Sequence, residues 1–300
     1  MKFQRQTSGS IACPTCRQLV NIQVPRCPHC GRRNPGLWGY ARTVQSLGTD
    51  LGFLPFVTWG CLGLYALTLV VNIPGIRPTG GMDIMAPDGS SLFLFGATGA
   101  IPIFALGRWW TLLSAAWLHG GLLHVGFNLA WIRFLAPAVA RFYGGSRLYL
   151  IYTLSAIASS GLTSIVGAFF PDIPILSLIL GNVLGGGASF SIGASGGLFG
   201  LFGAIITYGQ RTRDPSLTQT VLIWAALGFV LGLLFPGVDN WGHLGGFLGG
   251  FLVTKLPWFD PERKLGHKDF LIAIACAVGS ILSVLFSPIH ALLLPLLLSL

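Results

Sequence analysis

Seven apolar stretches, each about as long as a bilayer is thick, constrain this chain more than any other feature. They fall at about 52–73, 111–135, 146–169, 188–208, 218–235, 240–256 and 270–286. Backbone polar groups in hydrocarbon must be satisfied within the structure itself, which leaves helices or closed barrels, and runs of this length are helices. The 300 residues are 53% hydrophobic and only 9% charged, which excludes an ordinary soluble core. The expected fold class is therefore an all-α polytopic membrane protein. A last apolar piece, 289–300, is too short for a further span and is expected to be re-entrant or to lie on the surface. Residues 1–50 are polar and show no cleavable signal peptide.

The net charge of +9 follows the loops rather than one face. Lys2, Arg5, Arg17, Arg26, Arg32, Arg33 and Arg42 precede the first span, and Arg141 and Arg147 lie between the second and third. Arg211 and Arg213 lie between the fourth and fifth, and Lys255, Arg263, Lys264 and Lys268 between the sixth and seventh. The intervening turns carry Asp172 and Asp239 and no Lys or Arg, and only Arg77 and Arg108 in the long first loop break the alternation. By the positive-inside rule the N-terminus faces the cytoplasm. This pattern argues for orientation in a bilayer and against nucleic-acid binding. The first loop, about 74–108, is expected to be buried in protein or to dip into the membrane interface.

Four of the six cysteines form two knuckles, Cys13-Pro14-Thr15-Cys16 and Cys27-Pro28-His29-Cys30. Two CxxC pairs at this spacing are a specific signal for tetrahedral zinc, and the metal replaces a core too small to fold alone. Redox-active or incidental cysteines are the competing reading. Four thiolates complete the shell, so His29 is not needed as a ligand, and reduced thiolates place the module on the cytosolic side. The chain divides into a zinc-ribbon-like module at 1–35, a linker at 36–51, a membrane domain at 52–286 and an apolar tail at 287–300. Arg17, Arg26, Arg32 and Arg33 around the knuckles suit either topology or anionic headgroups.

Ionisable side chains inside spans are functional-site hypotheses by default. Ser195 and His243 stand in glycine-dense apolar runs, and the topology puts both in the outer half of the membrane, with Ser195 about seven residues, or ~10 Å, into the fourth span. A serine and a histidine are the minimum set for an activated nucleophile. Gly193, Gly196, Gly197, Gly200 and Gly203 on one span and Gly242, Gly245, Gly246, Gly249 and Gly250 on the other permit close backbone approach. Glycines alone would read as ordinary packing; the matched serine and histidine make the reactive reading stronger. His124 and Asn128 are four apart on one helical face and offer two donors for a developing anion. His119, five residues from His124, reads as structural. No acidic residue lies within the spans; Asp239, four before His243, reads better as a loop or cap residue than as a third triad member.

Together Gly193-Ala194-Ser195-Gly196, His243-Leu244-Gly245-Gly246 and His124-x3-Asn128, with Trp117-Leu118-His119 before it, resemble the motifs of the rhomboid intramembrane serine proteases. The resemblance covers about 52–256 and implies a six-helix core with a seventh transmembrane helix. It implies Ser195 as nucleophile and His243 as general base. It implies an oxyanion site of His124, Asn128 and the Ser195 backbone N–H, with Gly193 at the same site, and Phe199 packed on the His243 ring. It implies no catalytic cofactor, and substrates that are membrane proteins with a helix-weakened transmembrane segment. Family members often carry Trp-Arg near the end of the first loop, whereas Thr111 follows Trp110 here, which puts that loop's arginine-centred bonding in question. The competing readings are an inactive rhomboid-like client-binding protein, a small-solute transporter, and a membrane metal site of His119, His124 and His243. The compact chain points to a bacterial inner membrane.

Overall fold

The computed structural model describes residues 5–78, 84–170, 187–235 and 237–298. The expectation built on Asp172 falls outside them, as does Lys2. A small N-terminal module holds strands β1 (Ser10–Ala12) and β2 (Leu19–Asn21), paired antiparallel, and a short helix α1 (Ala41–Gln45). The membrane domain begins with α2 (Phe53–Val71), followed by short helices α3 (Gly89–Leu94) and α4 (Thr111–Ser114) in and after the first loop. Six longer helices follow: α5 (Leu122–Tyr143), α6 (Gly145–Phe169), α7 (Ser195–Thr212), α8 (Pro215–Leu234), α9 (Asn240–Lys255) and α10 (His267–Leu298).

Five of these, α2, α5, α6, α8 and α10, are long and apolar enough to cross a bilayer. The other two, α7 and α9, are shorter, with 18 and 16 residues, and rich in glycine. They pack together at the centre of the bundle against α6. A Cβ added to Gly246 would lie 2.1 Å from the Gly196 carbonyl oxygen, and one on Gly250 would lie 2.0 Å from that of Gly200. The two backbones are therefore in direct contact, as small-xxx-small spacing allows. Ser155 of α6 closes on the same seam: a Cβ at Gly200 would lie 2.0 Å from its Oγ.

Several boundaries differ from the sequence expectation, among them the end of the second span, which runs to Tyr143 rather than 135. The second span does not run from 111: the chain turns through α4 and a 3-10 turn at Ala115–Trp117, and α5 starts only at Leu122, beyond Gly120 and Gly121. The fourth span does not start near 188. Residues before Ser195 are extended, with Thr98 and Ser191 exchanging backbone hydrogen bonds at 2.9 and 2.7 Å, so first-loop backbone satisfies groups that a helix would have used. The last helix does not stop near Phe286 but continues through the tail to Leu298.

Polar bonds tie α10 to the rest at both ends. Near its start, Asp269 pairs with Arg263 at 2.8 Å and with buried Arg147 of α6 at 3.5 Å, while Arg147 also donates to the carbonyls of Asp260 and Arg263. Near its far end, Ser287 accepts from Trp110 Nε1 at 2.9 Å. The N-terminal module rests on the segment leading into α10, where the Thr15 hydroxyl donates to the Leu265 carbonyl at 3.0 Å and the Trp38 and His267 rings meet edge-on.

Candidate active site

Ser195, His124 and His243 all lie in the first turn of a helix. Ser195 is the first residue of α7, His124 the third of α5 and His243 the fourth of α9. This corrects the expected depth: Ser195 is not buried seven residues along a span but stands where extended chain becomes helix. Backbone N–H groups in a first turn lack intrahelical acceptors, and the helix dipole there favours negative charge. Two of these ends, those of α5 and α7, bring His124 and Ser195 to one point.

Gly193 defines that point. Its φ of +130° is a conformation that side-chain-bearing residues rarely adopt, and its N–H donates to the Ala115 carbonyl at 2.9 Å. A Cβ built on it would lie 3.0 Å from His124 Nε2 and 3.5 Å from Ser195 Oγ. Gly193 thus contributes room rather than a donor, since its amide is already engaged. His124 Nε2 and Ser195 Oγ therefore converge on one point beside this glycine.

The donors are oriented by local bonds. The Gly120 amide donates to His124 Nδ1 at 3.3 Å, so the ring proton resides on Nε2, the atom facing the space beside Gly193. Asn128, 4% exposed, uses one hydrogen of its Nδ2 to donate to the His124 carbonyl at 2.9 Å, leaving the second for another acceptor. His119 is fully buried and meets the His124 ring edge-on at 5.1 Å, a supporting position.

His243 is 8% exposed and stacks on Phe199, one turn beyond Ser195, with ring centres 4.1 Å apart and planes 14° apart. Phe229 of α8 packs edge-on against Phe199 at 4.9 Å. No hydrogen bond joins Ser195 Oγ to the His243 ring among the described residues, and His243 Nδ1 is buried without a partner. No carboxylate among the described residues orients that nitrogen. Asp239 instead caps α9, accepting from the Gly242 amide at 2.8 Å.

The family model described as Rhomboid domain matches residues 106–258, from the end of the first loop to just beyond α9. That is half of the chain. The chain belongs to the rhomboid family. It is 32% identical over 207 residues to Rhomboid protease GluP of Bacillus subtilis (strain 168), covering 67% of this chain and 36% of that protein. RHOMBOID-like protein 7 of Arabidopsis thaliana is 30% identical over 183 residues, 60% of this chain and 52% of that one. Putative rhomboid protease YdcA of Bacillus subtilis (strain 168) is 28% identical over 163 residues, 53% of this chain and 73% of that one. The chain thus spans about half or less of the length of the first two.

The arginine-centred bonding of the first loop, doubtful from the sequence, is present in this rhomboid. Arg108 supplies it, two residues before Trp110 rather than after it. Its side chain is fully buried, donates to the Phe93 carbonyl at 2.9 Å and to Ser287 Oγ at 3.3 Å, and lies 4.0 Å over the Phe93 ring. That also explains why Arg108 breaks the charge alternation: it is a packing residue, not a topology signal. The alternation break was the sequence signal that could have located it.

In the N-terminal module, Cys13, Cys16, Cys27 and Cys30 bring four sulfurs within 4.8 Å of one another. Cys13–Cys30 and Cys16–Cys27 are each 3.7 Å apart, too long for a disulfide. A tetrahedron with arms of about 2.3 Å has edges of about 3.8 Å, so the set fits a metal-thiolate centre. The two knuckles repeat one backbone turn: Arg17 N donates to the Cys13 carbonyl and Gly31 N to the Cys27 carbonyl. Burial raises the thiol pKa, but at Cys27 donation from the Cys30 and His29 amides and neighbouring thiols outweighs it and brings the group down to about 7. Burial pushes Cys30 up to about 12.

Proposed function

We propose that this rhomboid is an intramembrane serine endopeptidase, with Ser195 as nucleophile and His243 as general base. The observation that carries the reading is the convergence of His124 Nε2 and Ser195 Oγ beside Gly193, 3.0 and 3.5 Å from where a Cβ would stand. His243 removes the hydroxyl proton as Ser195 Oγ attacks the scissile carbonyl. His124 Nε2–H, the free Asn128 N–H and the Ser195 amide receive the oxyanion, with the α7 dipole behind it. The protonated His243 then gives its proton to the leaving amine, and water, deprotonated by His243, releases the acyl group. Phe199 holds the His243 ring in the absence of a carboxylate partner, so the catalytic unit is a dyad. The missing Ser195–His243 hydrogen bond fits a resting enzyme, in which such bonds are long and tighten with substrate.

Substrates are membrane proteins whose transmembrane segment unwinds locally, because helical peptide bonds are sheltered by their own hydrogen bonds. The cysteine module binds a structural Zn2+ on the cytoplasmic side of a bacterial inner membrane, and the distribution of Lys and Arg supports that orientation. The alternative is an inactive client-binding rhomboid-like protein, and the unjoined dyad is the observation in its favour. Purified full-length protein in liposomes separates the two. A single-span substrate is cut by wild type and left intact by Ser195→Ala and His243→Ala. A client-binding protein retains the substrate uncut in all three.

A further inference from the structure

One carboxylate joins the two chain segments that carry Ser195 and His243. Asp239 precedes His243 by four residues, and Ser191 precedes Ser195 by four. Ser191 Oγ donates to Asp239 Oδ2 at 2.6 Å. Asp239 Oδ1 accepts from the Gly242 amide at 2.8 Å and from the Thr163 hydroxyl of α6 at 3.0 Å. Thr163 Oγ1 in turn accepts from the Ala188 amide at 3.1 Å. The extended segment before Ser195, the start of α9 and the middle helix α6 thus meet at one anion.

We propose that Asp239 is a positioning residue that sets the separation between the Ser195 turn and the His243 turn without touching the reacting atoms. The inference rests on the dyad reading above. A helix cap needs only the Gly242 amide; the bonds from Ser191 and Thr163 exceed that need. A triad member would address His243 Nδ1, yet that nitrogen is unpartnered and both Asp239 oxygens are committed elsewhere. The segment before Ser195 is held on its other side by the Thr98 backbone, and the Ser191 bond, with the relay from Ala188 through Thr163, ties it to Asp239 at the start of α9. Bonds to an ionised acceptor are the stronger kind, and small misplacements of reacting groups are costly in rate.

The test uses the full-length protein in liposomes, with the rate of fluorophosphonate labelling at Ser195 and the kcat and KM for a single-span substrate as readouts. The variants are Ser191→Ala, Ser191→Thr, Asp239→Ser and the Ser191→Ala/Asp239→Ser double. Serine at 239 keeps an N-cap acceptor but is too short to span to Ser191. Ser191→Ala and Asp239→Ser are each expected to slow labelling and kcat by about tenfold with KM little changed. The double variant is expected to be no slower than the slower single, and Ser191→Thr to recover most of the rate. Additive losses, or an unchanged Ser191→Ala, overturn the proposal while leaving the dyad standing. If Asp239→Ser does not fold, the contrast between Ala and Thr at 191 decides alone. A wild type that never labels at Ser195 overturns the dyad reading itself.

Discussion

At the scale of single residues, the site depends on an atom that is missing. Gly193 combines a φ of +130° with a position where a Cβ would lie 3.0 Å from His124 Nε2. Gly193→Ala therefore fills the anion space and strains the turn before Ser195. Its kcat should fall by about 10²–10³-fold, comparable to loss of an oxyanion donor, with His124→Ala falling in the same range. Steady-state kinetics on folded, reconstituted protein checks both. As candidates, Ser195, His243, His124 and Asn128 stand out in the sequence because polar side chains among apolar ones are conspicuous and because i, i+4 spacing fixes a face. The role of Gly193 as empty space was not legible, since a glycine in a span reads equally well as packing. Nor was Asp239 as a link to Ser191, because the two are 48 positions apart and no periodicity announces the contact.

At the scale of elements, α7 and α9 touch backbone to backbone, so their seam tolerates no side chain. Gly246→Val places carbon where the Gly196 carbonyl already lies, 2.1 Å from the native Cβ position, and should separate the helices. A marked fall in thermal unfolding temperature together with loss of activity is expected, measured in detergent against wild type. The first loop offers a second test. Ser287→Ala removes the hydroxyl that accepts from Trp110 and Arg108, leaving the Trp110 N–H without its acceptor while Arg108 keeps the Phe93 and Ser287 carbonyls, and should cost about 1–3 kcal/mol in unfolding free energy. The spans α2, α6 and α8 were legible from hydrophobicity alone. The starts of α5 and α7 were not, because the segments before them are as apolar as helix but spend their backbone bonds on turns and on the first loop. The length of α10 was underestimated because the tail from 289, taken by itself, is too short for a span, whereas the helix continues through Pro288 into it.

At the scale of the whole molecule, a four-cysteine module is seated on the segment that leads into α10, and α10 reaches across the bundle to the first loop. The knuckle spacing made the module legible; its seat was not, because Thr15 and Leu265 are 250 residues apart. Purified protein should carry about one zinc per chain. A strong chelator should open residues 10–35 to proteolysis while the helices from Phe53 onward resist, as read by fragment masses. Protein that is zinc-free as isolated yet keeps the module intact would argue for another role of the four cysteines. The central claim, that Ser195 is a nucleophile activated by His243, is tested most directly by mapping a fluorophosphonate adduct by mass spectrometry on the reconstituted protein. The account predicts one adduct, on the peptide containing Ser195, lost in His243→Ala while that variant still folds. An adduct elsewhere, or undiminished labelling without His243, would contradict it.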